Sequence, residues 1–284
     1  MWIDLNRLIQ EDSATIGNIE EIFFPMGEMH IRVPDSHPEI CNVIARLRNE
    51  ADVMRLLLTI NAIKNQDHDL HKLIIPYLPY SRQDRVAVRG DSFSLKVIAD
   101  ILDRLGFREI ITVDVHSNVA SLLFKKTRFT NYIPIREVGK WIENLKIPPS
   151  SITLIAPDLG ASKRTWDYMP LGFANFVQCL KVRDSSSGKL GGFRVLDTIN
   201  TKYALVLDDI CDGGGTFLGL APELKKAGAE NLLLWTTHGG YTKGFSELLD
   251  VYDFVGCTNS YRVLDETVTN NKQIDQISIN FKKI

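Results

Sequence analysis

Nine consecutive residues carry three acids, three glycines and a hydroxyl: Asp208-Asp209-Ile210-Cys211-Asp212-Gly213-Gly214-Gly215-Thr216. Adjacent carboxylates can accept hydrogen bonds from the vicinal hydroxyls of a sugar. Consecutive glycines that open a helix expose backbone N–H groups, and with a hydroxyl beside them they suit a phosphate. One loop so built can hold both ends of a phosphorylated ribose, with Asp208 and Asp209 at the hydroxyls and Gly213, Gly214, Gly215 and Thr216 at the phosphate. No lysine follows the glycines, so this is not a Walker A loop. A flexible turn with solvated acids is the bland alternative, and the order acid pair, glycine run, threonine disfavours it.

The elements around this loop explain its position. "YALVLDDI" (203–210) reads as a strand, "FLGLAPELKKAG" (217–228) as a helix closed by Gly228, and "NLLLWTTHGG" (231–240) as the next strand. Pro222 conflicts with an unbroken helix, because a proline past the first turn removes a hydrogen bond; the expectation is a late start or a kink. The first half repeats the theme. "KLIIPYLPY" (72–80) begins as a buried strand, and "REIITVDVH" (108–116) is another. Between them Leu95, Ile98, Ile101, Leu102 and Leu105 recur at three and four and form one helix face. Ser92 or Ser94 is the expected cap of that helix, and Gly106 its end. "SITLIAPDLG" (151–160) is a further strand running into a Pro-Asp loop. Strand, loop, helix, strand, twice over, predicts an α/β protein of two similar lobes, each with a mainly parallel sheet flanked by helices. The lobes are expected at 1–135 and 136–284, divided near "NYIPIREVGKWIENLKIPPSS" (131–151), where Pro134 and Pro148-Pro149 bracket a short helix. "RDSSSGKLGG" (183–192) reads as a long hairpin tip or a mobile flap.

In parallel sheets, ligands bind at the carboxyl ends of the strands. Four polar clusters fall there: "PYSRQDR" (79–85), "DVHSN" (114–118), "APDLGASKR" (156–164) and the acid–glycine loop. The bulk composition narrows the function classes. The chain has 284 residues, 44% hydrophobic and 24% charged, with a formal net charge of −2. That is globular composition with no basic footprint for nucleic acid and no polybasic membrane signal. Cys41, Cys179, Cys211 and Cys257 are far apart, without metal spacing, and read as reduced thiols. The N-terminal stretch lacks a signal-peptide pattern, and no apolar run approaches the ~18 residues of a membrane span. A soluble, cytoplasmic protein is expected.

Together the motifs carry a resemblance. "DDICDGGGT" is similar to the ribose-5-phosphate loop of the type I phosphoribosyltransferase fold. "PYLPYSRQDR" and "DVHS" narrow it to a resemblance to the ribose-phosphate pyrophosphokinases, running from "FFPMGE" to "CTNSY". That family transfers the β,γ-diphosphate of ATP to the anomeric hydroxyl of ribose 5-phosphate and releases AMP. The resemblance implies ATP contacts from Arg82, Gln83, Phe24, Glu28 and His116. It implies a magnesium ion held near His116 and Asp158. It implies catalytic cations Lys181 and Arg183 at the base of the flap, where they meet charge that spreads over oxygens during transfer. It implies Asp208, Asp209, Asp212 and Gly213 to Thr216 as the ribose-phosphate site, with Asp212 a possible proton acceptor. A homodimer or higher homo-oligomer is implied too. Each residue also has a plain reading: a surface arginine, a solvated histidine, an aspartate capping a turn, a hairpin face.

The sequence departs from the family pattern in places. Phe24-Pro25-Met26-Gly27-Glu28 has methionine where the family's adenine-contacting motif has aspartate, and Val86 and Ala87 replace charged residues. Both ends look shorter than in the common bacterial enzymes. Gly213 stands where the family loop usually has threonine. A missing hydroxyl and methyl beside the 5′-phosphate leaves room for an attached group. The chain, with its "KVRDSSSGKLGGF" flap, also resembles a phage-associated branch acting on ADP-ribose in rebuilding NAD. ADP-ribose is therefore the acceptor this reading favours, and ribose 5-phosphate the alternative. A phosphoribosyltransferase would share the loop but needs no ATP, and "RQDR", His116 and Lys181-x-Arg183 argue against it. A non-catalytic regulatory homologue is opposed by the retained Lys181 and Arg183. A Rossmann dehydrogenase is opposed by the lack of GxGxxG after a first strand.

Overall fold

A computed structural model describes residues 2–5, 19–34, 40–183 and 190–284; at 182, 183, 190 and 191 it describes the backbone alone. The chain divides into two compact units, residues 1–133 with 280–284, and residues 134–279.

The first unit is built on a five-stranded sheet in the order β1-β4-β5-β6-β7, every neighbouring pair parallel. Its strands are β1 (Trp2–Asp4), β4 (Ile40–Ile44), β5 (Asp69–Ile75), β6 (Glu109–Val113) and β7 (Arg128–Tyr132). A separate antiparallel hairpin joins β2 (Glu20–Phe23) to β3 (Met29–Arg32). Helices α1 (Glu50–Lys64), α2 (Ser94–Asp103) and α3 (Ala120–Leu123) complete the unit. The sequence explains α1 directly. Asn49 caps it by accepting from the Asp52 N–H, Glu50 and Asp52 place acid in the first turn, and Leu56, Ile60 and Ile63 bury one face. The α2 face is as expected, with Leu95, Ile98 and Leu102 buried, but its cap is not. Phe93 occupies the cap position and makes no side-chain bond. The first turn is served instead by a loop, since the Leu95 N–H donates to the Gln83 carbonyl at 3.2 Å. The last residues return to this unit, where Phe281 is buried beneath the Arg46 guanidinium.

The second unit carries a seven-stranded sheet in the order β10-β9-β8-β11-β12-β13-β14. Its strands are β8 (Ile152–Ala156), β9 (Asn175–Arg183), β10 (Leu190–Val195), β11 (Tyr203–Cys211), β12 (Asn231–Gly239), β13 (Phe254–Thr258) and β14 (Ile274–Ile277). All pairs are parallel except the edge pair of β9 and β10. The helices are α4 (Ile135–Asn144), α5 (Ser162–Trp166), α6 (Gly215–Lys226), α7 (Ser246–Leu249) and α8 (Glu266–Thr269). Every residue of β8 is buried, as a parallel strand covered on both faces requires. The expected late start of α6 does not occur: the helix begins at Gly215 with Pro222 inside it. Proline cannot donate to the carbonyl four residues back, that of Leu218. The buried Tyr252 hydroxyl donates to the neighbouring Phe217 carbonyl at 2.9 Å, so this weakened turn gains a tertiary bond.

The strand order places the candidate site. The chain leaves β8 toward β9 on one side and returns to β11 on the other, which makes the gap between β8 and β11 a topological switch point. Pairing of β11 with β8 stops at Val206, whereas pairing with β12 continues to Cys211. Asp208 and Asp209 therefore lie within the strand but beyond the end of β8. The flap expected over 183–192 falls partly outside the described residues; its arms pair from Arg183 and Leu190. Among the described residues, no helix is long and apolar enough to cross a membrane.

Candidate functional site

In the second unit the acid pair has a partner that motif reading did not single out. Arg164, on the short α5 that follows β8, reaches Asp209 at 2.8 Å and Asp208 at 3.5 Å. The Asp209 side chain is only 3% exposed and that of Asp208 16%. Of the two acids assigned to sugar hydroxyls, Asp209 is thus committed to an internal ion pair, and Asp208 is the more open. The Asp209 N–H also donates to the Asp208 carboxylate at 2.9 Å. Burial, and then the charge of Asp209, hold the Asp208 carboxyl well above the usual carboxylate range, with Arg164 pulling the other way. Nearby, Asp158 accepts from the Ala161 N–H at 3.1 Å and caps the turn into α5.

Past the acids, Gly214 adopts left-handed backbone with φ of 77°, and α6 starts one residue later. The helix itself does not use the N–H groups of its first turn, Gly215 and Thr216, and its dipole adds partial positive charge there. Lys181, on β9, donates to the Thr216 hydroxyl at 3.1 Å, so a cation from the base of the flap sits on the glycine loop. Arg183 pairs through its backbone with Leu190; its side chain lies outside the described residues.

A second loop, 239–244, is sewn to the first. The Gly240 and Tyr241 N–H groups both donate to the Cys211 carbonyl, at 2.8 and 3.0 Å. The Thr242 N–H donates to the Asp212 carbonyl at 3.0 Å, and its hydroxyl to the exposed Asp212 carboxylate at 2.9 Å. Gly240 is required by contact: a Cβ there would stand 2.9 Å from the Cys211 carbonyl oxygen. The room expected beside Gly213 is not open space. A Cβ at Gly213 would stand 3.5–3.8 Å from Cγ, Cδ and Cε of Lys243, whose stem covers that side of the loop. Lys243 had no distinguishing signal in the sequence.

In the first unit, the loops after β5 and β6 meet. Arg82 and Gln83 are exposed on the first and His116 on the second. The Ser117 hydroxyl donates to Asp84 at 2.7 Å and ties the two loops together. Both loops contain residues in left-handed backbone, Tyr80 with φ of 60° and Asp114 with φ of 40°. Such strain in non-glycine residues gathers where loops are over-determined by their surroundings. Phe24 and Glu28 lie in the turn of the β2–β3 hairpin, where the Phe24 N–H donates to the Glu28 carbonyl. Phe24 is 51% exposed and Met26 92%.

The expected metal-linked residues, His116 and Asp158, fall in different units. Among the described residues, no three His, Cys, Asp or Glu side chains gather closely enough to hold a metal ion by themselves. The four cysteines are free and buried. Burial pushes the Cys211 thiol, at the root of the glycine loop, up to about 12.

A family model described as the N-terminal domain of ribose phosphate pyrophosphokinase matches residues 7–106. A ribose-phosphate pyrophosphokinase of Methanothermobacter thermautotrophicus is 30% identical over 226 residues, 78% of this chain and 76% of that protein. One of Pyrococcus furiosus is 28% identical over 255 residues, 88% of each chain. The crystal structure of phosphoribosylpyrophosphate synthetase from Mycobacterium smegmatis superimposes with a TM-score of 0.81 at 20% identity, covering 98% of this chain and 94% of that one. At that identity the likeness speaks for the fold.

Proposed function

The chain belongs to the ribose-phosphate pyrophosphokinase family, a family of enzymes with the type I phosphoribosyltransferase fold, and from that premise we propose that it transfers the β,γ-diphosphate of ATP to the anomeric hydroxyl of a ribose 5-phosphate unit. The C1 oxygen attacks the β-phosphorus, the bond from that phosphorus to the α,β-bridging oxygen breaks, and AMP leaves with that oxygen. The hydroxyl proton passes to the exposed Asp212 carboxylate or to water. The observation that carries the reading is the Lys181–Thr216 contact at 3.1 Å, which sets a flap-base cation on the loop that would hold the 5′-phosphate. On its flexible stem the same ammonium can reach from that loop toward C1, where charge spreads over the transferred phosphoryl oxygens as the bond breaks.

The rest of the site divides by chemistry. Asp208 receives ribose hydroxyls, with Asp209 and Arg164 holding it in place. The N–H groups of Gly213 to Thr216 receive the 5′-phosphate. Arg82, Gln83 and His116 serve ATP, with Phe24 and Glu28 contributing from the hairpin, and Arg183 joins Lys181 as the second flap cation. Magnesium prefers oxygen donors and usually keeps one or two carboxylates alongside substrate phosphates, so the Asp158 carboxylate fits it better than the His116 imidazole. Bound with ATP, the ion would neutralise phosphate charge. A homo-oligomer belongs to the same proposal.

Ribose 5-phosphate is the acceptor that the names of the relatives favour. ADP-ribose is the second reading. Gly213 favours it, having no side chain and only a flexible lysine stem on its open side. The test is to mix the protein and Mg-ATP with each acceptor separately and follow AMP. AMP release that depends on ribose 5-phosphate supports the first reading, and release with ADP-ribose alone supports the second. AMP release with neither would overturn both.

A further inference from the structure

Lys243 is placed with more care than a solvated lysine needs. Its stem lies along Gly213, with three methylene carbons at 3.5–3.8 Å from the position a Cβ would take. A Cβ at 213 would meet that stem at ordinary van der Waals distance, so the Lys243 methylenes cover the bare backbone of Gly213 directly. The lysine's own backbone is fixed to the same loop. Thr242, one residue before it, makes two hydrogen bonds to Asp212, and the Gly240 and Tyr241 N–H groups share the Cys211 carbonyl. The Gly244 N–H closes the turn onto the Tyr241 carbonyl at 2.9 Å, and Tyr241 is held at a positive φ of 44°. Among the described residues the Lys243 ammonium makes no ion pair, although Asp212 is a near neighbour in the fold. It is exposed, and its stem covers Gly213, two residues before the start of α6 at Gly215.

We propose that Lys243 is a further binding residue of the acceptor site, whose ammonium contacts the 5′-phosphoryl end of the phosphorylated ribose held by residues 213–216. This rests on the proposed function for the identity of that loop's ligand. The backbone N–H groups of the glycine loop supply direction, and Lys243 adds a second full positive charge on the Gly213 side, beside that of Lys181 at Thr216. A cation on a flexible stem at the rim accommodates either a phosphate monoester, as in ribose 5-phosphate, or a substituted phosphate, as in ADP-ribose. A threonine hydroxyl at 213 would offer one short neutral donor in place of a charge on a long stem.

The test is calorimetric binding of ribose 5-phosphate and of ADP-ribose, measured separately, to the full-length protein and its Lys243→Ala and Lys243→Arg variants. Loss of one charge-assisted contact weakens the acceptor's Kd about 10- to 100-fold in Lys243→Ala. Lys243→Arg recovers most of that loss, and ATP affinity and melting temperature stay with the wild type in both. Equal acceptor affinity in wild type and Lys243→Ala, within twofold, overturns the inference while acceptor-dependent AMP release by the wild type leaves the proposed function standing. Acceptor binding that depends on Lys243 without any AMP release does the reverse. Parallel losses of acceptor affinity, ATP affinity and melting temperature would make Lys243 structural and overturn the inference. Binding of neither acceptor by the wild type would overturn it as well.

Discussion

Arg164 gives the sharpest prediction about how the site is held together. Replacing it with methionine keeps the stem and removes the guanidinium. Two carboxylates, at 2.8 and 3.5 Å from that guanidinium and with side chains 3% and 16% exposed, then share a site with no countercharge from it. Breaking a buried pair by removing one partner costs about 3–5 kcal/mol. For a unit the size of residues 134–279 that corresponds to a fall in Tm of about 6–20 °C. The sign with pH follows from the direction of the shift. The Asp208 carboxyl is already raised by burial and by Asp209, and losing Arg164 removes the charge that opposes this and raises that carboxyl further. A carboxyl raised in the folded state favours folding when protonated, and that contribution is lost as pH rises through its folded pKa. The deficit of Arg164→Met should therefore deepen from acid toward alkaline pH. Adding Asp209→Asn should recover more than half of it at neutral pH. Thermal unfolding of the full chain by circular dichroism from pH 5 to 9 measures all three effects. A Tm loss under about 2 °C, a deficit flat with pH, or a deeper loss on adding Asp209→Asn would refute the reasoning.

Three further outcomes follow from other contacts. Lys181→Ala should lower the rate of AMP release about 100- to 1000-fold, the usual cost of one transition-state donor; initial rates at saturating substrates measure it, and an unchanged rate would contradict the role. Gly240→Ala places a Cβ 2.9 Å from the Cys211 carbonyl oxygen and should cost about 1–3 kcal/mol in urea unfolding, with weaker acceptor binding. Asp103→Asn removes the charge that accepts from the Lys125, Lys126 and Thr127 N–H groups at 2.9–3.1 Å. Burial pushes that carboxyl up, but those bonds outweigh it and hold it below the usual range, so its contribution is present above the unfolded value of ~3.9 and lost in acid as pH falls through the lower folded value. The variant should cost about 1.5–3 kcal/mol at pH 7 and converge with the wild type below about pH 3, read from urea midpoints at each pH.

Much of the fold was legible because parallel sheets leave a plain mark. Buried strands carry apolar runs, Leu154, Ile155 and Ala156 in β8 and Leu232, Leu233, Leu234 and Trp235 in β12, and the amphipathic face of α2 follows its leucines and isoleucines. What escaped depends on contacts distant in sequence. The cap of α2 is the Gln83 carbonyl, a backbone atom with no side-chain signature, so the nearby serines misled. Pro222 is accommodated in mid-helix beside a carbonyl that takes a tertiary bond from Tyr252, thirty residues on. The acid–glycine loop announced itself because one short segment carries all its chemistry. Arg164 lay in a cluster already placed at a strand end, yet its pairing with Asp208 and Asp209 follows only from the adjacency of β8 and β11. Lys243 was hidden for the same reason: its relation to Gly213 arises from two loops sewn together, thirty residues apart.

The central claim is transfer of a diphosphate as a unit, and the fate of the β-phosphorus tests it most directly. ATP labelled at that phosphorus, given with magnesium and ribose 5-phosphate or ADP-ribose, should yield unlabelled AMP and a sugar product carrying the label at C1. Label retained in ADP, with only the γ-phosphate moved, would contradict the account.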